Sequence, residues 1–478
     1  MGAVPEIPGP DGTAVEFLAV ISALTGEVSA QRGLIEELRD TIRRQEELIT
    51  ELRARLGRNS SNSSKPPSSD GLKPAPKSLR RPSRRKPGGQ PGHEGKTVPM
   101  ADRPDRVVEH RPARCAGCGT GLAGAGTAGV ERRQVVDPPE IRPEVVEHRI
   151  HAVACPSCGR TTKAQAPEGA ARQVQYGPNA NALMVYLVAA QHLSIGRCAQ
   201  AMAEIMGLPV STATVTAAQT RAADAVAERF TPAVKQLLAG SHTPRADETG
   251  FKVGGRTMWA HSASNDEATL IDVHPKRGKQ ATDDIGVLPA FHGALVHDAW
   301  PAYDAYPGVA AHQLCDAHVP RELRAVSDWH HDNNPGAWCW ADQCADALRA
   351  AINDPEDADR ARRLITDALA ADTLHNHPPG KLGNKHRALA DRPTQRLDDY
   401  LRFTTTPGVP PTNNPAEQET RMVKIKMKIT GGMRTLKGAR EFAAIRSYLA
   451  TARKHLTTPL TAITSLFTPE NTWLPTTP

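Results

Sequence analysis

Two short cysteine motifs, Cys115-Ala-Gly-Cys118-Gly and Cys155-Pro-Ser-Cys158-Gly, carry the most specific chemistry in this 478-residue chain. A C-x-x-C followed by glycine folds into a tight knuckle that aims two thiolates at one point. Two such knuckles supply the tetrahedral four-sulfur set that zinc prefers. The 36 residues between Cys118 and Cys155 leave room for a β-hairpin. A redox pair would stand once, beside a βαβ unit. The expectation is one structural Zn2+ held by Cys115, Cys118, Cys155 and Cys158, with Cys198, Cys339 and Cys344 as small core residues.

A second set is acidic. Asp247 lies in the run RADETGFKV, Asp298 closes GALVHD, and Glu417 stands in PTNNPAE. Asn414 is placed to cap a helix that starts at Pro415. Glu417 then falls in the first turn, with Arg421 and Lys424 at i+4 and i+7 on the same face. From Arg421 to Arg440 there are seven Lys or Arg and no acid. A carboxylate beside so many cations suits a place where a metal and a phosphate both bind.

The elements that must position these acids can be read from the pattern. Gly254-Gly255 joins two β-prone runs and is a two-residue hairpin signal. A turn at Asn265-Asp266 leads to a third run over 268–274. A helical segment, a short apolar strand at 293–296, a fifth strand at 311–315 and a helix from Ala317 follow. Three antiparallel strands, helix, strand, helix, strand is the ordering of the ribonuclease-H-like fold. In that arrangement the first and fourth strands lie side by side, so Asp247 and Asp298 meet at the sheet centre. Glu248 points to the opposite face, and Asp304 lies past the strand, at the surface. His312, Cys315 and His318 resemble a metal set; the preferred reading is that His318 packs near the active site behind the ligands.

Upstream, Ile21, Val28, Ile35, Ile42, Ile49 and Leu56 recur every seven residues, with Phe17, Leu24, Leu38 and Leu52 among the d positions. A stripe of period 3.5 makes helices supercoil, and β-branched a with Leu at d favours a parallel dimer. The segment 58–96 follows, in which 20 of 39 residues are Pro, Gly or Ser. It holds ten Lys/Arg against two acids, so it carries +8 and leaves the rest of this +7 chain near −1. Such a segment buries too little apolar surface to order itself and suggests a polyanion partner, nucleic acid first. Over 176–230 an apolar helix, a second helix, a Gly207-Leu208-Pro209 break and a third helix capped by Ser211 give a helix-turn-helix outline. Its third helix would offer Ser211, Thr212, Thr214, Thr216 and Gln219 to DNA.

Composition sets the outer limits. Hydrophobic residues are 39% and aromatics 4%, against the usual ~45–50% apolar, so part of the chain is not packed globule. The longest apolar run, at 182–190, is half of the ~18 residues a membrane span needs. No secretory signal is visible at the N-terminus. The expected location is cytoplasmic and nucleoid-associated, with no membrane partner.

The strings LGRNSSNSSKPPSSDG, KPGGQPGHEG, the two C-x-x-C knuckles, HLSIGR, ADETG, VHDAWPAYD, HQLCDAHVPREL and PTNNPAEQETRMVK, in that order, resemble the DDE transposases of the insertion sequence 66 family, large subunit. The resemblance implies Asp247, Asp298 and Glu417 as a catalytic triad that holds Mg2+ or Mn2+. It implies a helical insertion, about 328–400, within the 119 positions that separate Asp298 from Glu417. The chemistry implied is cleavage at the element's terminal inverted repeats, then joining of the 3′-hydroxyl ends to target DNA. Arg421 and Lys424 would hold phosphates. Small accessory transposition proteins are implied partners, and the heptads suggest a homodimer or higher oligomer.

The organisation expected is a multidomain α/β chain. Residues 1–12 are disordered, 13–57 form a coiled coil, 58–105 a disordered basic linker, and 106–170 a zinc-ribbon DNA-binding domain. A helix-turn-helix-like helical domain over 171–235 precedes the ribonuclease-H-like catalytic domain over 236–430 and a C-terminal helical extension over 431–478. The fragment from 236 to 478 is expected to keep its fold alone. The alternatives are a non-enzymatic DNA-binding regulator using the ribbon, helix-turn-helix and coiled coil, and a nuclease of the same fold without strand transfer.

Overall fold

The computed structural model describes residues 13–59, 62–63, 92, 98–167, 169–372, 377–378, 380–468 and 472–475. Most of the basic segment 58–96 and the residues before 13 lie outside this set, so the expected disorder there falls outside the described residues.

Helix α1 (Ala14–Leu56) is 43 residues long and buries none of them. Thr13 opens it, its backbone N–H donating to Glu16 Oε2 at 2.8 Å, a capping-box contact. Ile21, Leu24, Val28, Ile35, Leu38, Ile42, Ile49 and Leu52 are all exposed along its length. The helix touches the rest of the described structure chiefly through α10 (Gly380–Tyr400).

The cysteine region differs from the expectation. Its only paired strands among the described residues are β1 (Ala152–Ala154) and β2 (Thr161–Lys163), a three-residue antiparallel ladder. From 122 to 151 no strand forms, so no hairpin fills the gap between the knuckles. Pro138, Pro139 and Pro143 interrupt these runs, and proline cannot donate a ladder hydrogen bond. Val130, Val135, Val136, Val145 and Val146 stay exposed, so little apolar burial is available to offset pairing entropy.

Helices α2 (Pro178–Val185), α3 (Ile195–Met206), α4 (Thr212–Ala225) and α5 (Thr231–Ala239) follow. Two predicted boundaries are met: Gly207 ends α3 in the left-handed region at φ +63°, and the Ser211 hydroxyl accepts from the Thr214 N–H at 3.0 Å. The base-reading set is not met in full. Gln219 is buried, with its amide donating to the Met184 carbonyl at 3.3 Å, so it is turned into the bundle.

A five-stranded sheet forms the centre. Its order is β5 (Thr269–His274), β4 (Arg256–Ser264), β3 (Arg245–Val253), β6 (Ala294–His297), β7 (Ala311–Leu314). The first three are antiparallel, and β6 and β7 run parallel to β3. This is the ribonuclease-H-like order. Gly254 and Gly255 turn the β3–β4 hairpin at φ +53° and +80°, the positive values that a two-residue turn of this kind demands. A Cβ at Gly254 would sit 2.9 Å from the Arg434 carbonyl oxygen, so that position also needs glycine for close approach.

One face of the sheet carries α12 (Asn414–Thr430) and α13 (Leu436–Lys454), and α14 (Pro459–Leu466) packs on α13 and α2. Their apolar residues join those of α2–α5 and β3–β5 in one continuous core. Phe230 and Tyr448, fully buried from opposite sides of position 235, meet edge to face at 5.0 Å between centroids. That shared core argues against the self-sufficient 236–478 fragment, since removing 178–235 would bare it. The other face packs Leu288, Phe291, Tyr303 and Tyr306, next to α6 (Lys279–Ile285). Beyond β7, α7 (Val319–Asn333), α8 (Trp340–Asn353), α9 (Ala358–Asp372) and α10 build a helical subdomain with its own core, followed by the short α11 (Arg402–Thr405). Cys198, Cys339 and Cys344 are buried, as expected of small core residues.

Candidate active site

The parallel pairing of β3 with β6 sets Arg245 opposite Val296. Two residues further along β3 stands Asp247, and two residues further on in the other chain segment, just past the end of β6, stands Asp298. Side chains two apart share a face, so the two aspartates come to adjacent positions on the face that α12 covers. Ala299 directly after Asp298 has φ +68°, a conformation that costs an L-residue of order 1 kcal/mol or more. It bends the chain so that the Trp300 N–H donates to Asp298 Oδ1 at 3.1 Å. The carboxylate is thereby held by its own turn.

Glu417 arrives on α12, and three contacts decide where that helix sits. Asn413 is the N-cap residue, and Asn414 already belongs to the helix, which corrects the expected cap. The Asn413 side chain does not cap; its Nδ2 reaches the Ala246 carbonyl at 2.7 Å, beside Asp247 on β3. Its backbone N–H points at Cys315 Sγ at 3.1 Å. One turn beyond Glu417, Thr420 Oγ1 donates to Asp247 Oδ2 at 2.7 Å. Thr420 and Asn413 were not singled out by the sequence reading. The only signal for them was their place in the PTNNPAEQET string.

Asp247 is buried, and desolvation is the largest reason its carboxyl is pushed up to about 8; the charges of Glu248, Asp298 and Glu417 push the same way, against the Thr420 hydroxyl. Asp298 and Glu417 beside a buried Asp247 are oxygen donors of the kind a hard divalent cation takes, although among the described residues the three do not gather within 4.8 Å of one another. The residues present therefore fit Mg2+ or Mn2+. Lys424 is half-buried, and its ammonium pKa is lowered first by desolvation and then by Lys428 and Arg421, while Asp247 opposes the shift. It faces the acids, whereas Arg421 is exposed at the rim.

The cation run is not uniform. Lys426 is buried, and its Nζ donates to the Leu193 and Val188 carbonyls at 2.8 and 3.3 Å. Arg440 Nε reaches the Val273 carbonyl at 3.1 Å. Lys426 thus ties α12 into the core and is not placed to meet phosphate, whereas Arg440 is exposed.

Glu248 points to the opposite face, as alternation requires. Arg277 pairs with its Oε1 at 2.7 Å, and the Tyr303 hydroxyl donates to its Oε2 at 2.5 Å. Arg277 also lies 3.6 Å above the Trp300 ring. Burial, then the charge of Asp298, raises Glu248 to about 7. No pattern of spacing pointed to this supporting cluster. Asp304 is at the surface and pairs with Arg396 at 2.9 Å. His318 is near the site as expected, its Nε2 3.6 Å from Glu417 Oε1. His312 is elsewhere, 3.0 Å from His297 Nε2.

The model of the Transposase IS66 family matches residues 173–441, more than half of the chain, and spans all three acids. The chain belongs to this transposase family. A second match, to the zinc-finger binding domain of transposase IS66, covers residues 112–159 and so contains all four knuckle cysteines of this family member. A third, over residues 22–99, is to a family of unknown function. No curated protein matches. Among solved structures, the HTLV-2 integrase catalytic core domain in complex with magnesium (dimeric form) matches at 15% identity, covering 30% of this chain and 93% of that one, with a TM-score of 0.12. The ribonuclease-H-like assignment for this transposase-family chain rests on its strand order.

The two cysteine knuckles of the zinc-finger region are built alike. Cys115 and Cys155 each donate N–H five residues ahead, to Thr120 and Arg160, and each accepts from a glycine at positive φ, Gly119 and Gly159. The Thr120 hydroxyl and N–H lower the Cys118 thiol to about 7, and N–H groups of Cys158 and Ser157 lower Cys155. Such thiols suit a zinc ion. The four sulfurs do not form a set within 4.8 Å among the described residues, and each knuckle is made by its own local hydrogen bonds. No described helix is long and apolar enough to cross a membrane.

Proposed function

We propose that this protein is a metal-dependent DNA transposase in which Asp247, Asp298 and Glu417 hold Mg2+ or Mn2+. The observation that supports the reading is that Asp298, just past β6, and Glu417, on α12, both bring their charge to bear on the buried Asp247 of β3. Bound there, a divalent pair supplies Lewis-acid activation of the attacking oxygen and charge neutralisation at the leaving oxygen. The protein's part is positioning. Thr420 and Asn413 lock α12 to β3, so that Glu417 keeps a fixed relation to Asp247. The Trp300 N–H orients Asp298. Lys424 and Arg421 would take the scissile and flanking phosphates as point charge and fork. Water attacks first and frees a 3′-hydroxyl at the element's end. That hydroxyl then attacks target DNA in the same site, and no protein–DNA covalent bond is needed.

The partners follow the same reading. The terminal inverted repeats and target DNA are the substrates, and the zinc-finger region, with Cys115, Cys118, Cys155 and Cys158 on structural Zn2+, helps to read the repeats. The exposed stripe of α1 fits a second copy of the chain, giving a homodimer or higher oligomer, and small accessory proteins join the assembly. The location is cytoplasmic and nucleoid-associated.

Asp298→Ala tests the chemistry. Cleavage of the terminal repeats should fall by roughly 10³-fold or more while DNA binding is kept. Cleavage that persists in the variant removes the metal-site assignment and leaves a DNA-binding regulator. Pre-cut ends separate transposase from nuclease: a transposase joins them to a target plasmid, and a nuclease does not.

A further inference from the structure

Cys315, His318 and Glu417 form a three-ligand group whose Sγ, ring nitrogen and carboxylate oxygen all lie within 4.8 Å of one another. Cys315 follows β7, His318 opens α7, and Glu417 is on α12, so three separate elements converge here. The His318 imidazole has no satisfying partner. Its Nδ1 is buried without a hydrogen bond, and its Nε2 stands 3.6 Å from Glu417 Oε1, beyond hydrogen-bond range. Buried polar atoms left in that state call for an explanation, an absent ion among them. Cys315 Sγ lies 4.0 Å from the same Glu417 oxygen and accepts the Asn413 N–H at 3.1 Å, the kind of outer contact that orients a metal-bound sulfur.

We propose that this trio is a site for a thiophilic divalent cation of the Zn2+ class, and that such an ion inhibits the protein by taking Glu417 away from the Mg2+ site. With metal–ligand distances of ~2.3 Å to S and ~2.0–2.1 Å to N and O, a tetrahedral ion needs about 3.3 Å between N and O and about 3.5 Å between S and O. The observed 3.6 and 4.0 Å close to those values with shifts of a few tenths of an ångström. The donor set of sulfur, imidazole and carboxylate suits zinc and not magnesium, which takes oxygen. Binding converts Cys315–SH and M2+ into Cys315–S–M+ and one proton, which leaves to solvent. Thiolate and carboxylate together balance the ion's charge. The other such group, His297, Asp304 and His312, already has the Arg396 guanidinium on its carboxylate at 2.9 and 3.0 Å, so it is filled.

Binding stands on the trio alone; inhibition rests on the catalytic reading of Glu417. Full-length protein is stripped of metal and titrated with Co2+, whose thiolate charge-transfer absorption reports sulfur ligation. The full chain should show the zinc-finger signal plus a second component. Cys315→Ala and His318→Gln should each lose that component or weaken it by at least the roughly 10–100-fold typical of damage to a metal's surroundings, with circular dichroism unchanged. Equal titrations for both variants and the parent overturn the site. Zn2+ added to Mg2+-supported cleavage should inhibit the parent at least about tenfold more than it inhibits Cys315→Ala, each against its own Mg2+ rate. Equal inhibition overturns the regulatory half. A parent with no Mg2+-supported cleavage at all defeats the catalytic reading, while the Co2+ titration still decides the site.

Discussion

The Thr420 hydroxyl donates to Asp247 Oδ2 at 2.7 Å across 173 positions of sequence. That single bond joins the helix that carries Glu417 to the strand that carries the first aspartate. Both partners are buried, so a lost partner leaves an unsatisfied group at a cost of about 1–3 kcal/mol.

Thr420→Val should therefore destabilise the protein by about 1–3 kcal/mol. It should also reduce cleavage more than binding of repeat DNA, and Thr420→Ser should restore both by returning the donor. Thermal melts and single-turnover cleavage read the two effects. A valine variant with unchanged kcat removes the positioning role.

Asp247 gives a pH prediction. Its folded pKa, near 8, is above the ordinary 3.8, so the metal-free folded state holds a proton that the unfolded state has already lost. The stability linked to this group is fully present below pH 3.8 and falls as pH rises through 8. Metal-free protein should lose stability across that window, and Asp247→Asn should flatten the loss. At pH 8.5 the variant should melt roughly 5 °C or more above the metal-free parent, and added Mg2+ should raise only the parent. Identical pH profiles for the two proteins would exclude the burial argument.

The shared core makes a prediction about truncation. A fragment from 236 to 478 loses Phe230, α2–α4 and the first half of α5 from a cluster that includes Tyr448, Ile445 and Leu449. It should be insoluble or lack a cooperative melt, whereas a fragment from 171 to 478 should melt cooperatively. Calorimetry of the two distinguishes this from an autonomous catalytic domain.

The α1 stripe predicts association. Ile35 and Ile42 are exposed, at 48% and 54%, on a helix too amphipathic in heptad terms to remain alone. Replacing both with Asp should convert an oligomer to a monomer in sedimentation, without changing the melt of the residues from 171 onward. A monomeric parent chain would refute the coiled coil.

Local pattern was enough for much of this architecture, because local chemistry causes it. Gly254-Gly255 forces a turn, Ser211 caps a helix, Gly207 ends one, and alternation puts Asp247 and Glu248 on opposite faces. The order of strands then sets the end of β6 next to the start of β3. What the sequence could not decide were relations between residues far apart in it. Asn414 reads as the cap, yet Asn413 takes that place and its amide is spent on the Ala246 carbonyl. Lys426 reads as one more phosphate-binding cation, yet the Val188 and Leu193 carbonyls take its charge. His312 and His318 look like partners in the string, yet β7 ends between them and sends them to different neighbours. Such side chains are committed by whichever buried acceptor the packed chain leaves within reach, and only burial makes that commitment strong enough to override local preference.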